Sequence, residues 1–171
     1  MLARRDALLH SVAAAPTELR GALKIRCHGD YHLRQVLLRR NDFIITDAGA
    51  AGKSVAAERR RCSPLADVAT MLRSFAYARR MALQQCSLIS ANERERWESQ
   101  LDAWERETRS AFLSGYDEPA RASGLYASQA EVAPLLRLFE LEDACADLQR
   151  ELPGRPDWAA VPLRTLAALT V

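Results

Sequence analysis

The chain has 171 residues, of which 49% are hydrophobic and 27% charged, and its formal net charge is +2 at pH 7. This composition is typical of a soluble globular protein with one domain and a substantial core. The weak positive charge argues against a protein that binds nucleic acid or a membrane surface. No apolar run approaches the roughly 20 residues of a transmembrane helix, and the first residues lack the apolar centre of a signal peptide, so we expect a cytoplasmic protein.

The first part of the chain predicts one helix followed by short strands. Residues 2–14 have the apolar spacing of a helix, and Pro16 follows its end. Residues 23–27 alternate apolar and basic side chains, which is typical of a strand. Residues 35–39 and 43–46, joined by a polar turn, predict a β-hairpin.

The rest of the chain predicts helices. Ser63 followed by proline is a strong helix start, because serine is favoured at the N-cap and proline at the first helical position. Residues 91–115 and 128–152 predict two long helices, and residues 158–169 predict a short terminal one. We expect the first of the long helices to end at Gly115 and to bury a stripe that includes its two tryptophans. The whole pattern predicts an α+β fold that is mostly helical.

Four cysteines lie far apart, at positions 27, 62, 86 and 145. They form no Cys-x-x-Cys pair, and a zinc site needs closer ligand spacing. We therefore expect four free, buried thiols in a reducing cytoplasm.

An apolar strand and a small-residue loop that ends in Gly52-Lys53-Ser54 outline a phosphate-binding loop. However, Asp47 occupies the position of the first glycine, and a carboxylate has the wrong sign for a cradle of backbone amides. The helical remainder also lacks the strands of a parallel sheet. A phosphate-loop nucleotide-binding protein is therefore the weaker alternative.

A more specific pattern lies upstream, where residues 27–35 read CHGDYHLRQ between a predicted strand and the hairpin. His-Gly-Asp-x-His-x-x-Asn/Gln, a short hairpin and then Asp is the catalytic-loop order of the aminoglycoside phosphotransferase-like kinases, and protein kinases share that order. The segments HGDYHLRQVLL, AAERRRCSPLADVATMLRSFAYA and LEDACADLQRELPGRPDW resemble one branch of that superfamily. This branch is the maltokinases, which occur alone or fused to trehalose synthase.

The resemblance implies the C-terminal lobe of a protein-kinase-like fold, with a small β-hairpin at the catalytic loop. Residues 1–171 would form this single lobe, with the N-terminal lobe absent. It also implies ATP and Mg²⁺ as cofactors and maltose or a related sugar as the substrate, phosphorylated to maltose 1-phosphate. An N-terminal lobe or a trehalose synthase domain would be the partner, and neither nucleic acid nor a membrane is expected.

The family pattern assigns the chemistry to three residues. Asp30 would orient the acceptor hydroxyl and take its proton. Gln35 and Asp47 would hold magnesium against the ATP phosphates, because amide and carboxylate oxygens are the hard ligands that Mg²⁺ prefers.

The same pattern assigns supporting residues. His28 and His32 would support the loop, and Asp67 would either hydrogen-bond to it or only compensate a helix dipole. Glu142 and Glu151 fall in the segment that lines the sugar pocket of maltokinases, and we assign both to substrate binding. An acid on a helix surface is the competing interpretation.

The sequence departs from the maltokinase pattern near the proposed site. After Asp47 it reads AGAAG where the family continues Phe-Glu-Gly-Glu-Pro, and Arg34 replaces a glycine. Ala146 and Arg150 replace two tyrosines, so we expect weak maltose binding, since sugars stack on aromatic faces. We therefore expect a kinase lobe that is incomplete and weakly active or inactive alone. A non-catalytic kinase-like remnant or interaction domain is the main alternative.

Overall fold

The computed structural model describes residues 23–46, 61–85 and 90–169. The predicted helix over residues 2–14, the small-residue loop with Asp47 and Lys53, and Cys86 lie outside these ranges. The described elements are four short strands, four α-helices and two 3₁₀ turns. In chain order they are β1 (Ile25–Arg26), a 3₁₀ turn (Leu33–Gln35), β2 (Val36–Arg39), β3 (Asp42–Ile45), β4 (Arg61–Cys62), α1 (Pro64–Gln85), α2 (Ala91–Ala122), α3 (Gln129–Gly154), a second 3₁₀ turn (Pro156–Trp158) and α4 (Ala160–Leu169).

The strands form two small antiparallel sheets. β2 and β3 make the predicted hairpin, with Val36 opposite Ile45. Its turn places Arg40 and Asn41 at φ angles of 49° and 67°, the left-handed conformation that a two-residue hairpin turn requires. β1 pairs with β4 in the other sheet. The described strands therefore contain no parallel pair of the kind on which phosphate-loop proteins are built.

Helix α1 is the centre of the fold, and it packs against α2, α3 and α4. Its buried residues follow the helical spacing expected from the sequence and form the main core cluster with Val68, Met71, Leu72 and Phe75. A second cluster joins Leu141 and Ala144 of α3 to Leu166 of α4.

Helix α2 differs from the prediction in two respects. It begins at a capping box formed by Ser90 and Glu93, but it continues past Gly115 to Ala122. Trp97 and Trp104 were expected in the core, yet both are exposed. Trp104 still contacts the core, because its ring lies in a T-shaped arrangement with that of Phe75, with centroids 6.4 Å apart.

The expectation of four free, buried thiols is wrong for three of the cysteines. Cys27 and Cys62 are paired as a disulfide, with Cα atoms 6.1 Å apart, and Cys145 is free but exposed. The pairing follows from the β1–β4 sheet, which brings together residues 35 positions apart. None of the described helices is both long and apolar enough to cross a membrane.

Candidate active site

Asp67, in the first turn of α1, holds the loop that carries Asp30. One carboxylate oxygen of Asp67 accepts a hydrogen bond from the backbone N–H of His28 at 2.6 Å, and the other accepts one from Gly29 at 2.8 Å. Gly29 has a φ of 80°, which a residue with a side chain adopts only at a cost. Helix α1 therefore fixes the backbone immediately before Asp30.

The 3₁₀ turn that follows the loop is tied to the same helix. The backbone N–H of Leu33 donates to Ser74 Oγ at 3.2 Å, and this hydroxyl donates in turn to the carbonyl of Met71 at 2.7 Å. The side chain of Tyr31 packs against the main core cluster. The loop is thus fastened to α1 on both sides of Asp30.

His28 links the loop to the end of the hairpin. Its Nε2 lies 2.7 Å from the carbonyl oxygen of Thr46, and its Nδ1 accepts from the backbone N–H of Asp30 at 3.3 Å. With Nδ1 as an acceptor, Nε2 is the ring nitrogen placed to donate to the Thr46 carbonyl.

Gln35 lies at the same end of the hairpin. Its backbone carbonyl accepts from the backbone N–H of Thr46 at 2.8 Å, and its Oε1 accepts from Thr46 Oγ1 at 3.1 Å. Asp47, the next residue in the sequence, lies outside the described residues, so its convergence with Asp30 and Gln35 stays a prediction.

Carboxylate and amide oxygens such as those of Asp30 and Gln35 fit a magnesium ion, which usually takes one or two protein ligands. Gln35 Oε1 has a second lone pair free for such an ion, because an amide oxygen can accept twice. Within the described residues, His, Cys, Asp and Glu side chains form no cluster of three or more that could hold a metal. A magnesium ion here would depend on phosphate oxygens and water for its other ligands.

His32 lies beside Asp30, with its Nε2 3.5 Å from Asp30 Oδ2. The Asp30 side chain is 52% exposed, and that of His32 only 18%. The Nδ1 atom of His32 is buried and finds no hydrogen-bond partner among the described residues. His32 therefore limits the orientation of the Asp30 carboxylate from one side.

A cavity of about 360 Å³ opens beside Asp30, a size within the range of small-ligand sites. The loop, α1, the end of α3 and the second 3₁₀ turn supply its lining. Among the lining residues are Asp30, His32, Arg34, Tyr77, Arg155 and Trp158.

Two buried carboxylates support one wall of this cavity. Asp147 and Glu151 are each 1% exposed. Arg73 Nη1 lies 2.5 Å from Asp147 Oδ1, and Arg150 also pairs with Asp147. A buried charge needs such partners, because an unpaired one is costly.

Glu151 is fully engaged by its neighbours. Arg155 donates to both of its oxygens, at 2.9 Å and 2.7 Å, and the Tyr77 hydroxyl donates at 3.1 Å. Burial opposes ionisation of Glu151, but the hydrogen bonds from Arg155 and Tyr77 outweigh it and leave its pKa below the ordinary 4.5. Burial, reinforced by Asp147 and Glu151, raises the pKa of Tyr77 well above its usual value. Glu151 therefore lies at the cavity, but as part of its wall.

The cavity has an aromatic wall that the sequence analysis missed. The rings of Tyr77 and Trp158 are stacked, with centroids 5.8 Å apart and planes at 14°. The guanidinium of Arg155 lies over Trp158 at 5.1 Å. Trp158 was assigned only to the closing helix, although a tryptophan that follows Pro-Gly-Arg-Pro-Asp in a segment expected to line a sugar pocket was a usable signal.

The structure does not bring Glu142 to the cavity. Glu142 is exposed on α3 and is separated from Glu151 by nine positions, or two and a half helical turns. The two side chains therefore leave the helix on opposite sides. Asp147, which the sequence analysis did not consider, takes the buried position beside Glu151.

No family model matches the chain. Its fold is similar to three structures of glucosamine kinases. A glucosamine kinase in complex with glucosamine, ADP and inorganic phosphate aligns with a TM-score of 0.59 over 98% of this chain, at 17% identity. Crystal forms B and A of glucosamine kinase align with TM-scores of 0.64 and 0.61 over 98% and 97% of the chain, each at 18% identity.

The chain has a sugar-kinase-like fold. This finding confirms the predicted mostly helical α+β fold with kinase-like architecture and a small hairpin. The chain spans only 46%, 44% and 44% of the length of the three glucosamine kinases that it matches.

Proposed function

We propose that this chain is the C-terminal lobe of an ATP- and Mg²⁺-dependent sugar kinase, and that residues 1–171 make up one such lobe. The observation that carries the proposal is the placement of Asp30. Asp30 lines a cavity of about 360 Å³. Its loop is held to α1 by Asp67 and to the end of the hairpin by His28. Gln35 lies at that same end of the hairpin.

Phosphoryl transfer needs positioning and charge neutralisation more than covalent chemistry. In the proposed reaction the exposed carboxylate of Asp30 orients a sugar hydroxyl and accepts its proton as that oxygen attacks the terminal phosphate of ATP. Gln35 and Asp47 hold Mg²⁺, which neutralises negative charge on the phosphates when bound. His28, His32 and Asp67 act only by keeping Asp30 in place.

We propose maltose or a related sugar as the acceptor, phosphorylated at its anomeric hydroxyl. The half-buried rings of Tyr77 and Trp158 line the cavity beside Asp30, and this aromatic lining supports a sugar site. Arg150, which stands where the maltokinase pattern has a tyrosine, lines the same cavity. A glucosamine kinase of similar fold holds glucosamine and ADP, which supports a sugar acceptor and a nucleotide donor without choosing the sugar.

A further lobe would complete the nucleotide side, either as an N-terminal lobe or as part of a trehalose synthase fusion. The hairpin supports this proposal because its large apolar residues are exposed. Leu38 and Phe43 are each 70% exposed, whereas monomeric proteins rarely leave a contiguous apolar patch uncovered. We propose a cytoplasmic location for the sugar kinase, although a disulfide such as Cys27–Cys62 is more usual in oxidising compartments.

The test is ADP release by the purified chain with MgATP and, in turn, maltose, glucosamine and glucose. Because a further lobe would complete the nucleotide side, we expect only weak release by this chain alone. That release should depend on the sugar and fall at least about 100-fold in Asp30→Asn, because a positioned base contributes on that order or more. Asp42→Asn is the matched control, since Asp42 is an exposed carboxylate at the far end of the hairpin.

Calorimetry with MgATP separates the alternatives. If a folded chain shows no turnover and does not bind MgATP, the non-catalytic kinase-like domain is favoured. MgATP binding that Lys53→Ala abolishes and Asp30→Asn preserves would favour the phosphate-loop alternative. Sugar-dependent turnover that Asp30→Asn leaves unchanged would refute the role proposed for Asp30.

A further inference from the structure

A second cavity, of about 390 Å³, lies on a different face of α1 from Asp30. Helices α1, α2, α3 and α4 all contribute to its lining. Five arginines line it: Arg79 and Arg80 of α1, Arg106 and Arg109 of α2, and Arg164 of α4. The α1 residues that line the candidate active site are others, among them Arg73 and Tyr77.

Three carboxylates neutralise three of these arginines. Arg79 Nε lies 2.5 Å from Asp102 Oδ1, and Arg164 lies 3.0 Å from the same oxygen and 2.8 Å from Glu105. A third pair, 2.5 Å long, joins Arg109 to Glu140. Five guanidinium groups therefore face three carboxylates, an excess of two positive charges.

The excess lies on Arg80 and Arg106. Arg80 Nη2 donates to the backbone carbonyl of Asp157 at 3.1 Å, while its Nε is buried without a hydrogen-bond partner among the described residues. Arg106 has no carboxylate within ion-pair distance in the described part of the chain. Neither Arg80 nor Arg106 therefore has a carboxylate partner in the described part of the chain.

We propose that this cavity is a binding site for a small phosphomonoester dianion. Two guanidinium groups without a carboxylate partner match its two charges, and arginine is the residue best suited to phosphate oxygens because of its planar set of donors. Ala76, Ala160, Val161 and Ala168 supply an apolar part of the lining. An organic ester can use that surface, whereas free phosphate cannot.

The experiment is titration calorimetry of the full chain with phenyl phosphate, which joins a phosphate dianion to an apolar ring. We expect one binding site per chain, at least tenfold weaker binding of inorganic phosphate, and no binding of neutral benzyl alcohol. The double variant Arg80→Gln/Arg106→Gln is expected to weaken phenyl phosphate binding at least tenfold. Arg96→Gln, an exposed arginine on α2 that does not line the cavity, is expected to leave it unchanged.

The candidate active site also contains arginines, so a further variant distinguishes the two cavities. Arg34→Glu reverses the charge of an exposed arginine that lines the candidate active site, and it is expected to leave phenyl phosphate binding unchanged. Loss of binding in that variant with retention in Arg80→Gln/Arg106→Gln would place the ligand beside Asp30 and overturn the proposal. Absence of phenyl phosphate binding to the unmodified chain at millimolar concentration would also overturn the proposal. Equal binding of inorganic phosphate would contradict a site for an organic ester and leave only a phosphate site.

Discussion

At the scale of single residues, Asp67 is the contact through which α1 positions the loop of Asp30. Asp67→Ala leaves the backbone N–H groups of His28 and Gly29 without their acceptor. Hydrogen bonds to a charged group contribute about 1.5–3 kcal/mol each, and water replaces part of this at the exposed Gly29. We therefore expect the free energy of unfolding, measured with urea, to fall by about 1–3 kcal/mol.

Glu107→Ala is the control for this substitution, because Glu107 is exposed on α2. Its free energy of unfolding should stay within about 0.5 kcal/mol of the unmodified chain. Equal stability of the Asp67→Ala and Glu107→Ala variants would show that the loop does not depend on this carboxylate.

The lowered pKa of Glu151 makes the stability of the chain depend on pH. Because this pKa lies below the ordinary 4.5, the stabilisation is fully present above pH 4.5 and is lost as the pH falls through the folded-state pKa. Glu151→Gln cannot ionise and lacks this component. We expect it to melt below the unmodified chain at about pH 7, with the difference narrowing towards about pH 3.

Thermal denaturation at several pH values measures this difference. Glu118→Gln, which changes an exposed acid on α2, should follow the unmodified chain throughout. A gap between Glu151→Gln and the unmodified chain that stayed constant from neutral to acidic pH would show that Glu151 contributes through packing alone.

The candidate site was predictable from the sequence where its residues are close together in the chain. The order of His28, Asp30 and Gln35 marks one short loop, and the structure places this loop beside a cavity. The arginine–carboxylate wall joins residues on helices far apart in sequence, such as Arg73 and Asp147, which are 74 positions apart. No local pattern encodes such a pair, because it depends on how α3 packs against α1.

At the scale of whole elements, helix α2 shows how packing overrides a local signal. Gly115 was expected to end it, yet Phe112, Leu113 and Tyr116 pack against the main core cluster on both sides of that glycine. Their burial outweighs the roughly 1 kcal/mol that a glycine costs inside a helix. The helix ends at Ala122, and Gly124 follows the C-cap residue Ser123 with a φ of 72°. There the backbone N–H groups of Gly124 and Leu125 donate to the carbonyls of Arg121 and Ala120 at 3.0 Å each, a Schellman motif.

Replacement by alanine should change the free energy of unfolding in opposite directions at Gly115 and at Gly124. A Cβ at either position meets no atom within 4 Å, so only the backbone conformation distinguishes them. Gly115→Ala should raise the free energy of unfolding by about 0.5–1 kcal/mol, because alanine is the better helix former. Gly124→Ala should lower it by about 1 kcal/mol or more, because alanine resists a positive φ.

Urea unfolding of the two single variants and of their double variant tests this difference. The two effects should nearly cancel in the double variant, since the sites are distant along the helix. Destabilisation by Gly115→Ala would mean that the glycine is needed there for a reason other than helix formation.

At the scale of the whole molecule, the helices carry the core and the hairpin contributes little to it. The predicted helical spacing of α1 placed Val68, Leu72 and Phe75 in the core, and all three are buried. The same reasoning could not show how the hairpin stands relative to that core. An alternating strand pattern identifies two faces, but not what covers them. In the structure, Val36 is the hairpin residue that packs against the main cluster.

Because the helices carry the core, replacing a leucine should lower the free energy of unfolding more in α1 than in the hairpin. Leu72 is 0% exposed and Leu38 is 70% exposed. Leu72→Ala leaves a cavity in the main core and should lower the free energy of unfolding by about 2–5 kcal/mol. Leu38→Ala removes an already hydrated side chain and should change it by no more than about 0.5 kcal/mol. Urea unfolding of the two variants and of the unmodified chain measures both changes.

A large loss of stability in Leu38→Ala would mean that the chain itself covers the hairpin. If Leu38→Ala is neutral, the apolar surface of β2 and β3 does not stabilise this chain alone. Its selective advantage would then come from contact with a further lobe. Such a contact would bring that lobe to the edge of the cavity, since the hairpin ends at Thr46, which is hydrogen-bonded to both His28 and Gln35.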